Sequence, residues 1–211
     1  MTRIAIFDYG AGNLHSLAKA VAAPGFDVAI VTDPLEASDR DRYDALILPG
    51  VGAFSAAADK LAPGCASMRA AIDDGLPLLG ICLGMQLLLD SSAEGAGQGL
   101  GVIPGVVRRL RASRVPQIGW NTFEDVGDAV PDTSLDVAYY ANSFVCEPSD
   151  DQCVVAWSSY DGDRFPAVVR AGPTGNVTGV QFHPEKSSSD GVRYLRGLLA
   201  EMTRISAEAR K

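Results

Sequence analysis

Gly80-Ile81-Cys82-Leu83-Gly84, preceded by Leu76-Pro77-Leu78-Leu79 and followed by Met85-Gln86-Leu87-Leu88-Leu89, decides how the rest of the chain is read. The order is apolar strand, sharp turn, then a helix-like run, with a cysteine at the turn between two glycines. An elbow of the form G-x-nucleophile-x-G needs its glycines because the turn leaves no room for Cβ atoms beside the nucleophile. It pushes the central side chain out at the carboxyl end of a sheet and at the start of a helix, whose N-terminus favours a thiolate. The pentapeptide alone fits a buried cysteine among apolar residues equally well.

A second run separates the two readings. Gly179-Val180-Gln181-Phe182-His183-Pro184-Glu185-Lys186-Ser187 closes an apolar strand that starts near Val177. Proline drives the preceding residue towards an extended conformation, which puts His183 at a strand end. Glu185, two residues on, is close enough for its carboxylate to orient the imidazole across the Pro184 turn. Nucleophile, base and a group orienting the base make up the logic of a triad in its cysteine version. The chain has only two histidines. His15 stands beside Asn13 and Leu14 at a helix start, where capping or surface roles are expected; His183 is either the base or a satisfied strand-end histidine.

The 211 residues suffice for one domain with a substantial core, and the expected organisation is a single domain over 1–211. With 47% hydrophobic and 21% charged residues the composition is that of a folded globular protein. A net charge of -8 gives no general attraction to nucleic acid or to an anionic membrane. Arg108-Arg109-Leu110-Arg111 with Arg114 is a local basic exception and is left unassigned. Cysteines at 65, 82, 146 and 153 form no CxxC pair, and with two histidines neither a metal site nor another cofactor is expected. Met1-Thr2-Arg3 leads straight into Ile4-Ala5-Ile6-Phe7 without a signal-peptide pattern, and no segment reaches the roughly 18 apolar residues of a membrane span. The expected location is the cytoplasm.

Along the first half, apolar strands (4–7, 28–31, 45–48, 78–81) alternate with helical patterns (14–23, 54–61, 66–74 and the elbow helix). Continuous apolar strands separated by helices predict an α/β fold with a mainly parallel central sheet covered by helices on both faces. Beyond about residue 98, short pieces rich in Pro and Gly (102–103, 106–107, 117–118, 137–140, 154–157, 167–169) predict an additional antiparallel portion. A last helix is expected over 190–207, with Leu195, Leu198, Leu199 and Met202 at helical spacing.

Ligands of open α/β sheets bind beyond the carboxyl ends of the strands. Asp8-Tyr9-Gly10-Ala11-Gly12-Asn13, Pro49-Gly50-Val51-Gly52 and Cys82 all fall there. The Gly10 and Gly50 segments lack the third glycine and helix register of a dinucleotide fingerprint. Gly50-Val51-Gly52 either turns backbone N–H groups towards a developing oxyanion, each such donor being worth typically about 2.7–4 kcal/mol in a transition state, or is an ordinary tight turn.

These residues carry a family resemblance. Gly80 to Gln86 together with Val180 to Glu185 resembles the class I glutamine amidotransferases, with their flavodoxin-like sheet. Within that class, Asp8 to Leu14, Pro49 to Phe54, Gly99 to Gly105 and Pro116-Gln117-Ile118-Gly119-Trp120-Asn121 resemble the glutaminase subunits of imidazole glycerol phosphate synthases. The resemblance runs from Ile4 to the last helix. It implies that Cys82 attacks the side-chain amide of L-glutamine, that His183 moves the protons, and that Glu185 orients His183. It further implies an oxyanion hole at Gly50, Val51 and Leu83, and substrate-holding roles for Gln86, Glu94 and Ser143. Ammonia would pass to a (βα)₈-barrel cyclase subunit, which makes imidazole glycerol phosphate and aminoimidazole carboxamide ribotide in histidine biosynthesis. Trp120, Tyr139 and Lys186 would meet that subunit in a heterodimer.

Asn142 stands where family members usually carry a histidine, and Phe144 where a tyrosine is common; both bear on coupling and on the identity of the partner. A glutaminase serving a different barrel synthase, a standalone glutaminase or cysteine hydrolase, and a non-catalytic regulatory scaffold are the competing readings. Retention of Cys82, His183 and Glu185 together argues against the scaffold.

Overall fold

The computed structural model of the chain describes residues 1–10, 12, 14–127 and 135–209. Ala11 and Asn13 of the first glycine loop lie outside the described residues. The apolar run at the amino terminus forms β1 (Thr2–Phe7), followed by α1 (His15–Val21) and β2 (Phe26–Val31). Asp33 then accepts from the Leu35 N–H at 2.9 Å and starts the one-turn α2 (Pro34–Ala37), a capped proline start that the apolar periodicity alone did not predict. Next come β3 (Ala45–Leu48), α3 (Phe54–Leu61), α4 (Cys65–Asp73), β4 (Leu78–Ile81) and α5 (Leu83–Gln86).

The second half contributes β5 (Ser91–Ser92), β6 (Gly105–Arg109), β7 (Gln117–Thr122), β8 (Val137–Asn142), β9 (Phe144–Pro148), β10 (Val154–Tyr160), β11 (Asp163–Ala171), β12 (Val177–Val180) and α6 (Ser188–Ala209). A seven-stranded sheet runs in the order β10-β11-β12-β4-β3-β1-β2. From β12 to β2 its neighbours are parallel; β10 and β11 extend it as antiparallel strands. The expected class, a mainly parallel α/β sheet with an antiparallel portion, is the class observed. A three-stranded sheet β5-β6-β9 and a β7-β8 ribbon accompany it.

Strand side chains alternate between faces, and here both faces are buried. Ile4, Ile6, Ala45, Ile47, Leu79 and Ile81 enter one core with Leu17 and Val21 of α1 and with Tyr194, Leu195, Leu198, Leu199 and Met202 of α6. Ala5, Phe7, Leu46, Leu48 and Leu78 enter the other, with Phe54 and Leu61 of α3 and Met68 and Ile72 of α4. This is why the parallel strands read as unbroken apolar runs.

Two local expectations need correction. The elbow helix stops after Gln86 instead of continuing through Leu89, and Val102-Ile103 forms no strand. One set of bonds explains both. The carbonyls of Leu87, Leu88 and Leu89 accept from the N–H groups of Leu100, Ile103 and Gly101, at 2.7, 3.0 and 3.2 Å. The 100–103 segment thus satisfies the carbonyls that a longer helix would have used, and is itself held as a brace instead of a strand.

Arg108 of the basic cluster is engaged internally. Arg108 holds Asp163 through two bonds of 2.7 and 2.8 Å, Asp163 also accepts from the Arg111 N–H at 2.7 Å, and Arg108 reaches Glu147. A bidentate guanidinium–carboxylate pair of this kind pins the small β6-β9 sheet to the start of β11.

Candidate active site

The site begins with steric constraints on the elbow. Cys82 leaves β4 with φ 47° and ψ -102°, a conformation costly for a residue with a Cβ. Gly84 packs so tightly on the Leu48 carbonyl that a Cβ there would overlap it. Gly50, just after β3, lies against His183 and Cys82: an added Cβ would stand 2.8 Å from His183 Cε1 and 2.9 Å from Cys82 Cβ. The glycines of the two motifs are therefore what let β3, the elbow and the histidine converge.

His183 follows β12 and is buried, as is the Cys82 side chain. Its Nδ1 lies 2.8 Å from a Glu185 carboxylate oxygen, which assigns the Nδ1 proton and leaves Nε2 to face the Cys82 thiol. Burial by itself presses the imidazole towards its neutral form. The hydrogen bonds to Cys82 and Glu185, and the electrostatic attraction of both groups, outweigh it and raise His183 from 6.5 to about 9. Phe182 anchors the strand end among Tyr140, Phe123 and Tyr194, with ring centroids 5.9, 5.1 and 5.7 Å away.

The remaining sequence-derived residues divide by location. Gln86 sits one turn after Cys82, bonded through its N–H to the Cys82 carbonyl, and its side-chain amide donates to the Phe144 carbonyl at 3.1 Å. Ser143 immediately precedes that acceptor, so Gln86 and the 143–144 segment meet. Glu94 is exposed and accepts from the Phe54 N–H at 3.1 Å, at the start of α3 just after the Gly50-Val51-Gly52 loop. Val51 packs on Gly12, where a Cβ would stand 2.7 Å from the valine Cβ, so Gly12 backs the Gly50-Val51-Gly52 loop. Leu83 is buried at the first position of α5.

Trp120 and Tyr139 are partners in the β7-β8 register, with ring centroids 6.2 Å apart. Trp120 is 55% exposed, and Ile118 and Val137 on the same side are also exposed, whereas Gln117, Ala138, Tyr140 and Asn142 on the other side are buried. The ribbon thus presents an apolar face to solvent. Lys186 is exposed in the turn after Pro184. Asn142 lies on the buried side, donating to the same Phe144 carbonyl as Gln86, so the departure from the family pattern sits behind the ribbon and not on its outer face. His15 is the exposed first residue of α1.

Sequence reasoning assigned no role to Gln181. It is fully buried, and its amide donates to Cys82 Sγ at 3.5 Å. Two residues before His183, it shares that residue's side of the extended segment. The available signal was a large polar residue inside an apolar strand end. Among the described residues no cluster of His, Cys, Asp or Glu is disposed to hold a metal ion, and no helix is long and apolar enough to cross a membrane.

A cysteine on a strained elbow, facing a histidine held by a buried carboxylate, can attack an acyl carbon and return the proton to the leaving group. The chain belongs to the class I glutamine amidotransferase family, whose model matches residues 5–202. Within that class it is 43% identical to the imidazole glycerol phosphate synthase subunit HisH of Halobacterium salinarum over 205 residues, covering 93% of this chain and 92% of the relative. It is 41% identical to a HisH subunit of Thermus thermophilus over 193 residues, covering 90% and 93%. Among solved structures, a GMP synthase subunit of Thermoplasma acidophilum superposes with a TM-score of 0.70 at 22% identity, covering 100% of this chain and 96% of that one, a likeness of fold.

Proposed function

We propose that this chain is the glutaminase subunit of an imidazole glycerol phosphate synthase, releasing ammonia from L-glutamine for a (βα)₈-barrel cyclase subunit in the cytoplasm. The observation that carries the reading is the convergence of Cys82, His183 and Glu185 on the elbow of a chain about 40% identical to HisH subunits over nine-tenths of its length.

In this reading His183 already holds a proton at neutral pH, and the Cys82 sulfur beside it bonds to the amide carbon of glutamine. The oxyanion that forms is met by backbone N–H groups at Gly50, Val51 and Leu83. Collapse breaks the carbon–nitrogen bond, His183 delivers its proton to the departing nitrogen, and ammonia leaves a thioester. Water, deprotonated by His183, then releases glutamate and restores Cys82 beside a protonated His183. Glu185 holds the imidazolium. Gln86, Glu94 and Ser143 hold the amino-acid end of the substrate.

Ammonia released into water would be mostly protonated and unable to attack, which is the chemical reason for a partner. The exposed apolar side of β7-β8, with Trp120, Tyr139 and Lys186, supports docking of the barrel there in a heterodimer. Glutamate release by the chain alone, with the barrel, and with barrel plus its nucleotide tests the proposal, with Cys82→Ala as control. Strong stimulation by the liganded barrel is expected; a live Cys82 that ignores the barrel sinks the assignment of the partner.

A further inference from the structure

Three hydrogen bonds close a ring beside the candidate triad. The His183 N–H donates to the Tyr139 carbonyl at 2.8 Å, the Tyr139 N–H donates to Ser187 Oγ at 2.8 Å, and the Ser187 hydroxyl donates to the His183 carbonyl at 2.7 Å. Ser187 is fully buried. Its position is fixed by its own backbone: its N–H donates to the Pro184 carbonyl and its carbonyl accepts from Gly191 at the start of α6. Gly191 has no Cβ at the point where one would collide with Ser187 Cβ, so the helix closes directly over the serine.

The ring has a mechanical consequence. Tyr139 is the central residue of the exposed side of β8, stacked edge-on against Trp120, yet both of its backbone polar groups are committed to the segment that carries His183. The serine hydroxyl is the one side-chain group in this ring, and it serves as acceptor on one side and donor on the other. Without it the Tyr139 N–H has no partner from this ring, and the peptide must turn to find one. That turn shifts Tyr139, whose carbonyl in the next peptide holds the His183 N–H, and with it the aim of the imidazole at Cys82. Small misplacements of a catalytic group are expensive in rate.

We propose that Ser187 is a positioning residue, which ties His183 to β8 so that the alignment of His183 with Cys82 follows the seating of the β7-β8 ribbon. The inference rests on the proposed glutaminase reading and adds to it a residue and a route by which an occupant of the ribbon reaches the site. Gln86, Glu94 and Ser143 are not members of the ring, so Ser187 acts on the chemical step and leaves substrate binding alone.

The test is steady-state glutamate release by the full chain together with the barrel subunit, comparing Ser187 with Ser187→Ala and Ser187→Cys, alongside thermal melting. Cysteine keeps the shape but is a weak donor and acceptor. The expected result is a fall in kcat of roughly ten- to a hundredfold for Ser187→Ala, and less for Ser187→Cys, with KM within about twofold and a smaller stimulation by the barrel. If Ser187→Ala does not fold, a lowered kcat at unchanged KM in a normally melting Ser187→Cys decides in favour. Unchanged kcat in the folded variants, or a rise in KM at constant kcat, overturns the proposal. If the unaltered chain releases no glutamate and Cys82 resists a glutamine-like chloroketone, the glutaminase reading falls and this inference falls with it. An active enzyme indifferent to Ser187 removes this inference alone.

Discussion

His183 Nδ1 and a Glu185 carboxylate oxygen lie 2.8 Å apart across the Pro184 turn, with both side chains almost wholly removed from water. Because the chain has two histidines, their titration is separable by NMR. His183 is expected to lose its proton near pH 9. Its folded value is raised above 6.5, so the stability this proton contributes is complete below about pH 6.5 and is lost as pH rises through about 9. Cys82→Ala, which removes a hydrogen-bond partner, and Glu185→Gln, which removes a negative charge, should each lower the value, since both groups support the imidazolium. A value unmoved in both variants would mean that neither group holds the ring.

Glu185→Gln should also reduce kcat for glutamine by roughly 10²–10⁴, as the loss of an orienting carboxylate does in other triads, without unfolding the chain. Glutamate release with circular dichroism as a fold control measures it. Activity within a few-fold of the parent would place the orienting role elsewhere.

Cys82 occupies φ 47°, where a Cβ is strained. Cys82→Gly should therefore be inactive yet more stable than Cys82→Ala, by about 1–2 kcal/mol, because relief of strain outweighs the added entropy of an unfolded glycine. Urea denaturation of the two variants provides the comparison. A less stable glycine variant would show that the elbow is relaxed.

Gly50→Ala would introduce a Cβ 2.8 Å from His183 Cε1 and 2.9 Å from Cys82 Cβ. The expected outcome is a loss of about two orders of magnitude in kcat/KM, with destabilisation of about 1–3 kcal/mol as the crowded groups move apart. Full activity in this variant would remove Gly50 from the machinery.

Trp120→Ala should change stability by no more than about 0.5 kcal/mol, since the ring is largely exposed. If the ribbon docks the barrel, the same change should weaken association by about 2 kcal/mol or more, as expected of an aromatic anchor. Calorimetric titration of barrel into the variant reads both the affinity and any failure of the prediction.

The elbow and the His183-Pro184-Glu185 turn were legible because their geometry is local: two glycines flanking a cysteine, and a proline that extends the residue before it. The parallel sheet was legible because strands buried on both faces leave unbroken apolar runs. The length of the elbow helix was not, because Leu87, Leu88 and Leu89 would continue any helix. Their carbonyls are claimed instead by the Leu100 to Ile103 segment, further along the chain. Gln181 and Ser187 stood inside quoted motifs without roles, since their partners, Cys82 and Tyr139, come from distant strands.

The sequence by itself supplied the candidate residues and the class of sheet that presents them, which follow from short-range sterics and apolar periodicity, and its motifs carried the resemblance to the family. Tertiary structure decided what meets what. Gly50 backs onto Cys82 and His183, Gln181 donates to the Cys82 sulfur, and β8 is knotted to the histidine through Ser187, while Arg108 is spent on Asp163 and Glu147. Such pairings depend on how strands far apart in the chain are ordered in the sheet. That order is set by the joint burial of both sheet faces, which no single stretch of residues encodes.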